Sequence, residues 1–304
     1  MCGIAGIIPT TGIMDYDRLK QLYRLFLAIE DRGGHACGIA HRNIDWGICV
    51  EKGAYNPSDI SFAKFCEMVT LDSSWVLMHT RYTTQGSVMN NNNNHPIDHH
   101  NHIVTHNGVL WNDDSVFNYW GNDIRRAEVD SEAINAALQY GGVEWLTENV
   151  EGSYSLAWVD RSSSNLVQLL TNGRNPLVIG RLTDKSVVWA SNLYHLQDAF
   201  GDDLENSFNA TPYKIYRIYV NDMIIRSEFC AETRAQPTIL GRRSHVASYG
   251  SIPIKKKKSK KKHSKGRKRQ PLVHAGFKFD EKKKVWKKAT LDDYPDFADY
   301  FSNK

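Results

Sequence analysis

The chain begins Met1-Cys2-Gly3-Ile4-Ala5-Gly6-Ile7-Ile8. A cysteine in second place invites a particular chemistry. Its small size favours removal of Met1, which would leave Cys2 with both a thiol and a free α-amine. The thiol is a strong nucleophile and the amine can take its proton, so one residue supplies nucleophile and base. Ordinary proton affinities of ~7.7–8.0 for the amine and ~8.5 for the thiol are close enough for transfer near neutrality. Gly3 lets the backbone run close to a substrate, and residues 4–8 read as a buried strand with Cys2 at its mouth. A plainer reading, an ordinary residue behind an initiator methionine, fits these eight residues equally well. The rest of the chain has to decide.

At 304 residues there is room for one large domain, or a domain with an appendage. Apolar residues make up 41 %, which suits a soluble globular chain. No apolar run approaches the ~18 residues of a membrane span, and no basic stretch precedes a long apolar core as in a signal peptide. Five scattered cysteines fit a reducing cytoplasm better than a disulfide framework. There is no CxxC pair and no HExxH, so neither a metal nor a cofactor is expected. The net charge of +4 is unevenly placed. The run from Lys255 to Arg269 holds eleven Lys or Arg and no acid, and setting these aside leaves −7 for the remainder.

Along the chain, residues 15–30 carry apolar positions at Leu19, Leu22, Phe26 and Ile29, a helical stripe ended by Gly33-Gly34. Residues 38–50 read as a strand pair, 75–79 as a strand, 90–94 as a solvated loop of five asparagines, and 102–106 as a strand broken by Asn107-Gly108. A helix over 130–140, with Asp130 as its cap and Gly141-Gly142 as its stop, precedes a second helical piece at 145–150. Strands then crowd together at 154–159, 166–171, 176–182 and 187–191. A short helix over 193–200 and a last hairpin over 213–226 follow. This order is not the alternation of a doubly wound sheet; two sheets with helices outside would accommodate it. From about Arg234 the composition turns polar and lysine-rich, so disorder is expected there. The expected division is a domain over 1–230, a basic linker over 231–275, and a small element over 276–304 whose aromatic residues suit docking.

Polar spots punctuate the strands. An amino-acid substrate needs a cation for its carboxylate, an acid for its ammonium, and donors for the oxyanion formed on attack. Arg81, Asp130 and the Asn107/Gly108 pair could supply them. Taken alone, Asn107-Gly108 is also a hairpin dipeptide, Arg81 a surface ion-pair partner, and Asp130 a helix cap. His79, His95 and His106 read as structural, and the histidines from His95 to His106 lack the spacing of a metal site.

The set resembles the class II glutamine amidotransferases, the glutaminase domain of glucosamine-6-phosphate synthase and its relatives. The matching pieces are Cys2-Gly3-Ile4, Arg32-Gly33 with Gly38-Ile39-Ala40, His79-Thr80-Arg81-Tyr82 with Thr84, His95-Pro96, His106-Asn107-Gly108, Asp130-Ser131-Glu132, Glu151 to Ser155, and Asn175 to Gly180. They span roughly residues 2–226. The resemblance implies an α+β fold, the αββα four-layer sandwich of the N-terminal nucleophile hydrolases. It implies attack by Cys2 on glutamine's side-chain amide, release of ammonia, and hydrolysis of a γ-glutamyl thioester. It implies Arg81 on the α-carboxylate, Asp130 on the α-ammonium, Asn107 and Gly108 as the oxyanion hole, Arg32 fixing the Cys2 end, and Tyr82 and Thr84 lining a loop that closes over glutamine. His35-Ala36, Tyr82, Thr83 and Gln85 depart from the family's usual residues, which touches the loop more than the chemistry.

The expected partners are L-glutamine and a separate ammonia-accepting synthetase or transferase, since 304 residues leave no room for a second domain of ~200 residues. Two alternatives stay open. One is a non-catalytic protein on the same fold, its lysine-rich tail contacting nucleic acid or another polyanion through Lys255 to Arg269. The other is a hydrolase of a different γ-glutamyl amide. The same basic run reads as a nuclear-import patch if the source is eukaryotic.

Overall fold

The opening apolar run forms strand β1 (Gly3–Ile8), all six of its residues buried. A continuous apolar strand of this kind is covered on both faces. The structure, a computed structural model, describes residues 1–43, 45, 47–230, 273–274, 277–280 and 285–288. In chain order the further elements of the first unit, Met1–Glu232, are α1 (Tyr16–Ala28), β2 (Ala36–Asn43), β3 (Gly47–Gly53), α2 (Phe62–Met68), β4 (Ser73–Arg81), β5 (Ile97–His99), β6 (His102–Leu110), α3 (Asp113–Trp120), α4 (Glu132–Asn149), β7 (Gly152–Asp160), β8 (Leu166–Thr171), β9 (Val178–Leu182), β10 (Val187–Ala190), α5 (Leu193–Phe200), β11 (Leu204–Asn209), β12 (Lys214–Tyr219) and β13 (Ile225–Phe229).

These strands make two antiparallel sheets. One has the order β11-β9-β10-β1-β4-β2-β3, and the other β13-β12-β8-β7-β6-β5. Ile4, Ile8, Trp75, Leu77 and Trp189 of the first sheet pack against Ile103, Val159, Val167, Leu169 and Ile218 of the second. Fully burying a side chain of this size stabilises by about 1.5–3 kcal/mol, so this layer holds the sheets face to face. Outside the second sheet, Val104, Leu156, Trp158 and Leu170 meet Phe117, Ile134, Ala137 and Leu146 of α3 and α4. Helices α1 and α5 pack together against β1 and β10 of the first sheet. The layers therefore run helix, sheet, sheet, helix, the αββα arrangement expected from the resemblance.

Several local expectations are corrected. β6 is not broken at Asn107-Gly108: Asn107 pairs with Ser155, Gly108 with Tyr154, and the ladder runs on to Leu110 opposite Gly152. Nor does the Asp130 side chain cap a helix. Ser131 is the N-cap of α4, and Asp130 instead accepts the Leu110 N–H at 2.6 Å. The two helical pieces expected at 130–140 and 145–150 join across Gly142, whose φ of 76° breaks the helical path. The asparagine run is only partly solvated, because Asn93 and Asn94 are fully buried. β11, whose six residues are all partly or fully exposed, has no apolar period to betray it. α3 buries only Val116 and Phe117, too few to show a stripe.

The second unit, Thr233–Lys304, contains an antiparallel ribbon of β14 (Val273–His274), β15 (Phe277–Asp280) and β16 (Val285–Lys288), with Phe279 opposite Trp286. The run from Lys255 to Arg269, with the polyanion contact expected of it, lies outside the described residues, as do residues 289–304 of the expected docking element. Among the described residues no helix is long and apolar enough to cross a membrane.

Candidate active site

Strands β1 and β4 lie side by side with Gly3 opposite Thr80. That register sets Cys2, just before β1, beside Arg81, the last residue of β4. A cavity at this end is lined by Cys2, Arg81, Tyr82, Thr84, Gly108 and Asp130, together with Gln85, His95, His106, Val129 and Ser131. Six of the expected site residues thus meet in one place, drawn from four separate parts of the chain. The Cys2 thiol lies 3.8 Å from the Tyr82 carbonyl oxygen. Burial pushes this thiol above its ordinary proton affinity and the Asp130 carboxylate adds to that, while the Tyr82 contact, the Met1 ammonium and Arg81 pull the other way. The resting sulfur is therefore a protonated thiol near neutrality, and it needs a base to attack.

The three nearby histidines do not provide one. His79 stacks on His95 at 4.0 Å between ring centroids, and its Nε2–H donates to the His106 carbonyl at 3.0 Å. Burial lowers His79 to about 3, holds His95 well below the usual imidazole range, and lowers His106 as well. Rings this weakly basic are neutral props. His106 is held through Nδ1, 2.8 Å from Ser131 Oγ. Among the described residues, neither ring nitrogen of His95 has a partner.

Arg32 and Asn107 stand outside the cavity lining. Arg32 Nε donates to the Cys2 carbonyl at 2.9 Å, and the adjacent Asp31 accepts from His195 at 3.0 Å and from Tyr194 of α5. Asn107 is fully buried, and among the described residues neither its Oδ1 nor its Nδ2 has a partner. By strand alternation it faces the inter-sheet side with Ile103 and Thr105, the side on which β1 lies. Its carbonyl accepts from Asn175 Nδ2 at 3.0 Å. Gly108 has no room for a side chain: a Cβ there would sit 1.8 Å from the Ser153 carbonyl oxygen and 2.6 Å from His106 Nε2.

The Arg81 guanidinium is engaged. Nη1 donates to Asn94 Oδ1 at 2.8 Å, and Nη2 to the carbonyls of Gln85 and Gly86, the latter at 3.1 Å. The departures in the following loop have partners too. His35 Nδ1 accepts the Thr83 N–H at 3.0 Å, and its ring packs on Tyr82. Asn93 and Glu128 clasp the loop from below, with Asn93 Nδ2 donating to Glu128 Oε2 at 2.6 Å and to the Ser87 carbonyl at 3.0 Å.

Glu132, at the start of α4, has a role that its motif did not reveal. Its buried carboxylate accepts the Arg126 N–H at 2.9 Å and the Ala127 N–H at 2.5 Å, with His99 Nδ1 at 2.8 Å and His100 Nε2 at 3.2 Å. Burial opposes the charged form, but the histidine and amide hydrogen bonds outweigh it and hold this carboxyl at about 2. A carboxyl depressed in the folded state stabilises above its unfolded proton affinity of ~4.3, and that stability is lost as pH falls toward 2. Glu132→Gln is expected to cost on the order of 3 kcal/mol at pH 7 and progressively less below pH ~4.5, as read by urea unfolding at pH 7 and pH 3.

Comparison with known proteins points to one class, the glutamine amidotransferase domains of class II. Residues 79–198 match the glutamine amidotransferase domain family. A curated relative, the glutamine–fructose-6-phosphate aminotransferase (isomerizing) of Buchnera aphidicola, is 25 % identical over 206 residues, covering 62 % of this chain and 31 % of that protein. The chain therefore spans about a third of that relative's length. Among solved structures, the glutamine phosphoribosylpyrophosphate amidotransferase of B. subtilis superposes with a TM-score of 0.59 at 19 % identity, over 76 % of this chain and 49 % of that one. A second, an allosteric regulatory enzyme of purine biosynthesis, gives 0.58 with the same identity and coverage. At that identity the likeness is one of fold.

Proposed function

We propose that this chain hydrolyses L-glutamine to glutamate and ammonia through a Cys2 thioester, and that a separate acceptor enzyme uses the ammonia. The observation that carries the reading is the cavity in which Cys2, Arg81, Gly108 and Asp130 share walls. Once Met1 is removed, the α-amine on Cys2 takes the thiol proton as sulfur bonds to the amide carbon. The oxyanion rests on Asn107 Nδ2 and the Gly108 N–H. Collapse breaks the carbon–nitrogen bond while the proton passes to nitrogen, which leaves as ammonia. Water then attacks the thioester, giving glutamate and the free thiol. The raised proton affinity of Cys2 favours such base-assisted attack over a standing thiolate.

Arg81 grips the α-carboxylate and Asp130 the α-ammonium. Both Nη2 hydrogens of Arg81 are on the Gln85 and Gly86 carbonyls, so a bidentate carboxylate displaces one of them. Substrate binding is thereby coupled to movement of the loop. Arg81→Lys keeps the charge and loses the fork; it is expected to raise the KM for glutamine about 10- to 100-fold, as read from initial rates of glutamate release.

The reading is tested by intact mass and N-terminal sequencing, glutamate release with glutamine or other γ-glutamyl amides, and Cys2 labelling by a glutamine-mimicking diazo-ketone. Protein with Cys2 at its terminus that yields no glutamate, alone or with candidate acceptor enzymes, would sink it.

A further inference from the structure

We infer that Lys52 and Asn94 are positioning residues for glutamine recognition, forming one linkage that fixes the Arg81 guanidinium from outside the cavity. The inference rests on the reading of Arg81 as the carboxylate ligand. Lys52 lies on β3, a strand that contributes nothing to the cavity lining. Its Nζ donates to the Asn94 carbonyl at 2.7 Å and to the Pro96 carbonyl at 2.8 Å. Asn94 is fully buried. Its Oδ1 accepts from Arg81 Nη1 at 2.8 Å, while its Nδ2 donates to the Val88 carbonyl at 2.7 Å and to Asn91 Oδ1 at 3.0 Å. One residue thus connects the ammonium of Lys52, the loop backbone and the guanidinium.

The segment can lie this close only because Gly38, directly opposite Lys52 on β2, has no side chain. A Cβ there would stand 2.3 Å from the His95 carbonyl oxygen and 2.5 Å from Lys52 Cβ. Among the described residues Lys52 makes no ion pair, and Asp98 acts on it only at longer range. Burial lowers it to about 8. Such a cation, set on two carbonyls, does a job that a surface lysine does not. The geometry matters because a bidentate grip on a carboxylate tolerates little displacement of the guanidinium.

The test measures glutamine affinity by calorimetry in full-length Cys2→Ala protein, and KM and kcat in the Cys2 protein. Lys52→Met and Asn94→Ala are each expected to weaken glutamine binding about tenfold, with the loss in KM and less than about a threefold change in kcat. The double variant is expected to lose little more than the worse single variant, because both break one linkage. Lys52→Arg, which keeps donors for both carbonyls, is expected to recover affinity to within about threefold of the parent. Should Lys52→Met fail to fold, Lys52→Gln takes its place. If Arg81→Lys weakens binding while the Lys52 and Asn94 variants bind as the parent does, the linkage is wrong and the carboxylate reading stands. If Arg81→Lys leaves affinity unchanged, the carboxylate reading falls and the linkage with it. Strictly additive losses, or no recovery with Lys52→Arg, would also overturn the linkage.

Discussion

Cys2→Ala protein is expected to release glutamate at least about 10⁴-fold more slowly than the parent while unfolding at the same urea concentration. Removing the nucleophile of a covalent mechanism leaves only the rate that binding and oxyanion donors supply, and losses on the order of 10⁴–10⁶ are typical. Stability is spared because the Cys2 side chain lies at the cavity edge, ahead of β1, and its one hydrogen bond among the described residues is the long one to the Tyr82 carbonyl. A stable extension ahead of Cys2 is expected to be nearly as damaging. It turns the α-amine into an amide, which has no useful basicity, and the buried thiol then has no base. His79 at about 3 and His95, which burial holds well below the usual imidazole range, cannot stand in. Glutamate release measured beside an uncleavable tag separates this account from one in which a histidine is the base.

Asn107→Leu is expected to lower kcat by about 10²–10³, the usual loss when one oxyanion donor is removed, with stability unchanged or raised. The sign of the stability effect is the distinctive part. Asn107 is fully buried, with both amide atoms unpartnered among the described residues. A buried polar group without partners costs about 1–3 kcal/mol, and an apolar residue of similar volume removes that cost. A residue kept for packing would show the reverse, with activity spared and stability lost. Thermal melts and single-turnover rates on the same preparation distinguish the two. A melting point lowered by more than about 4 °C together with an intact rate would remove Asn107 from the oxyanion hole.

How much of this was legible beforehand depended on distance along the chain. The strand 4–8 and the helix 193–200 could be read because an apolar run or a 3.6-residue stripe is a property of neighbouring residues. The site residues were legible as types in order: Cys2 at the start, Arg81 at a strand end, Asn107-Gly108, then Asp130. Their local settings were not. Asn107-Gly108 has the composition of a tight turn, but pairing with Ser155 and Tyr154 on β7 keeps it extended. Asp130 has the composition of a helix cap, but the Leu110 N–H, twenty residues away, takes its carboxylate. In both cases a long-range partner outbid a local propensity.

Lys52 and Asn94 mark the far end of this scale. Lys52 sits in a strand of mixed polarity, Asn94 in a run of five like residues, and neither carries a local signal. They matter because β2 and β3 pair so that Gly38 faces Lys52, and the bare backbone there admits the segment 94–96. The amino-acid sequence by itself determined the chemistry available to this chain: a thiol in second place, one guanidinium, an Asn-Gly pair and one carboxylate, in that order. Only the tertiary structure decided which of these meet, which are buried without a partner, and what holds the guanidinium in place. The physical reason is that side-chain chemistry is written residue by residue, whereas hydrogen-bond satisfaction and close approach depend on strands separated by scores of residues and brought together by the packing of two sheets.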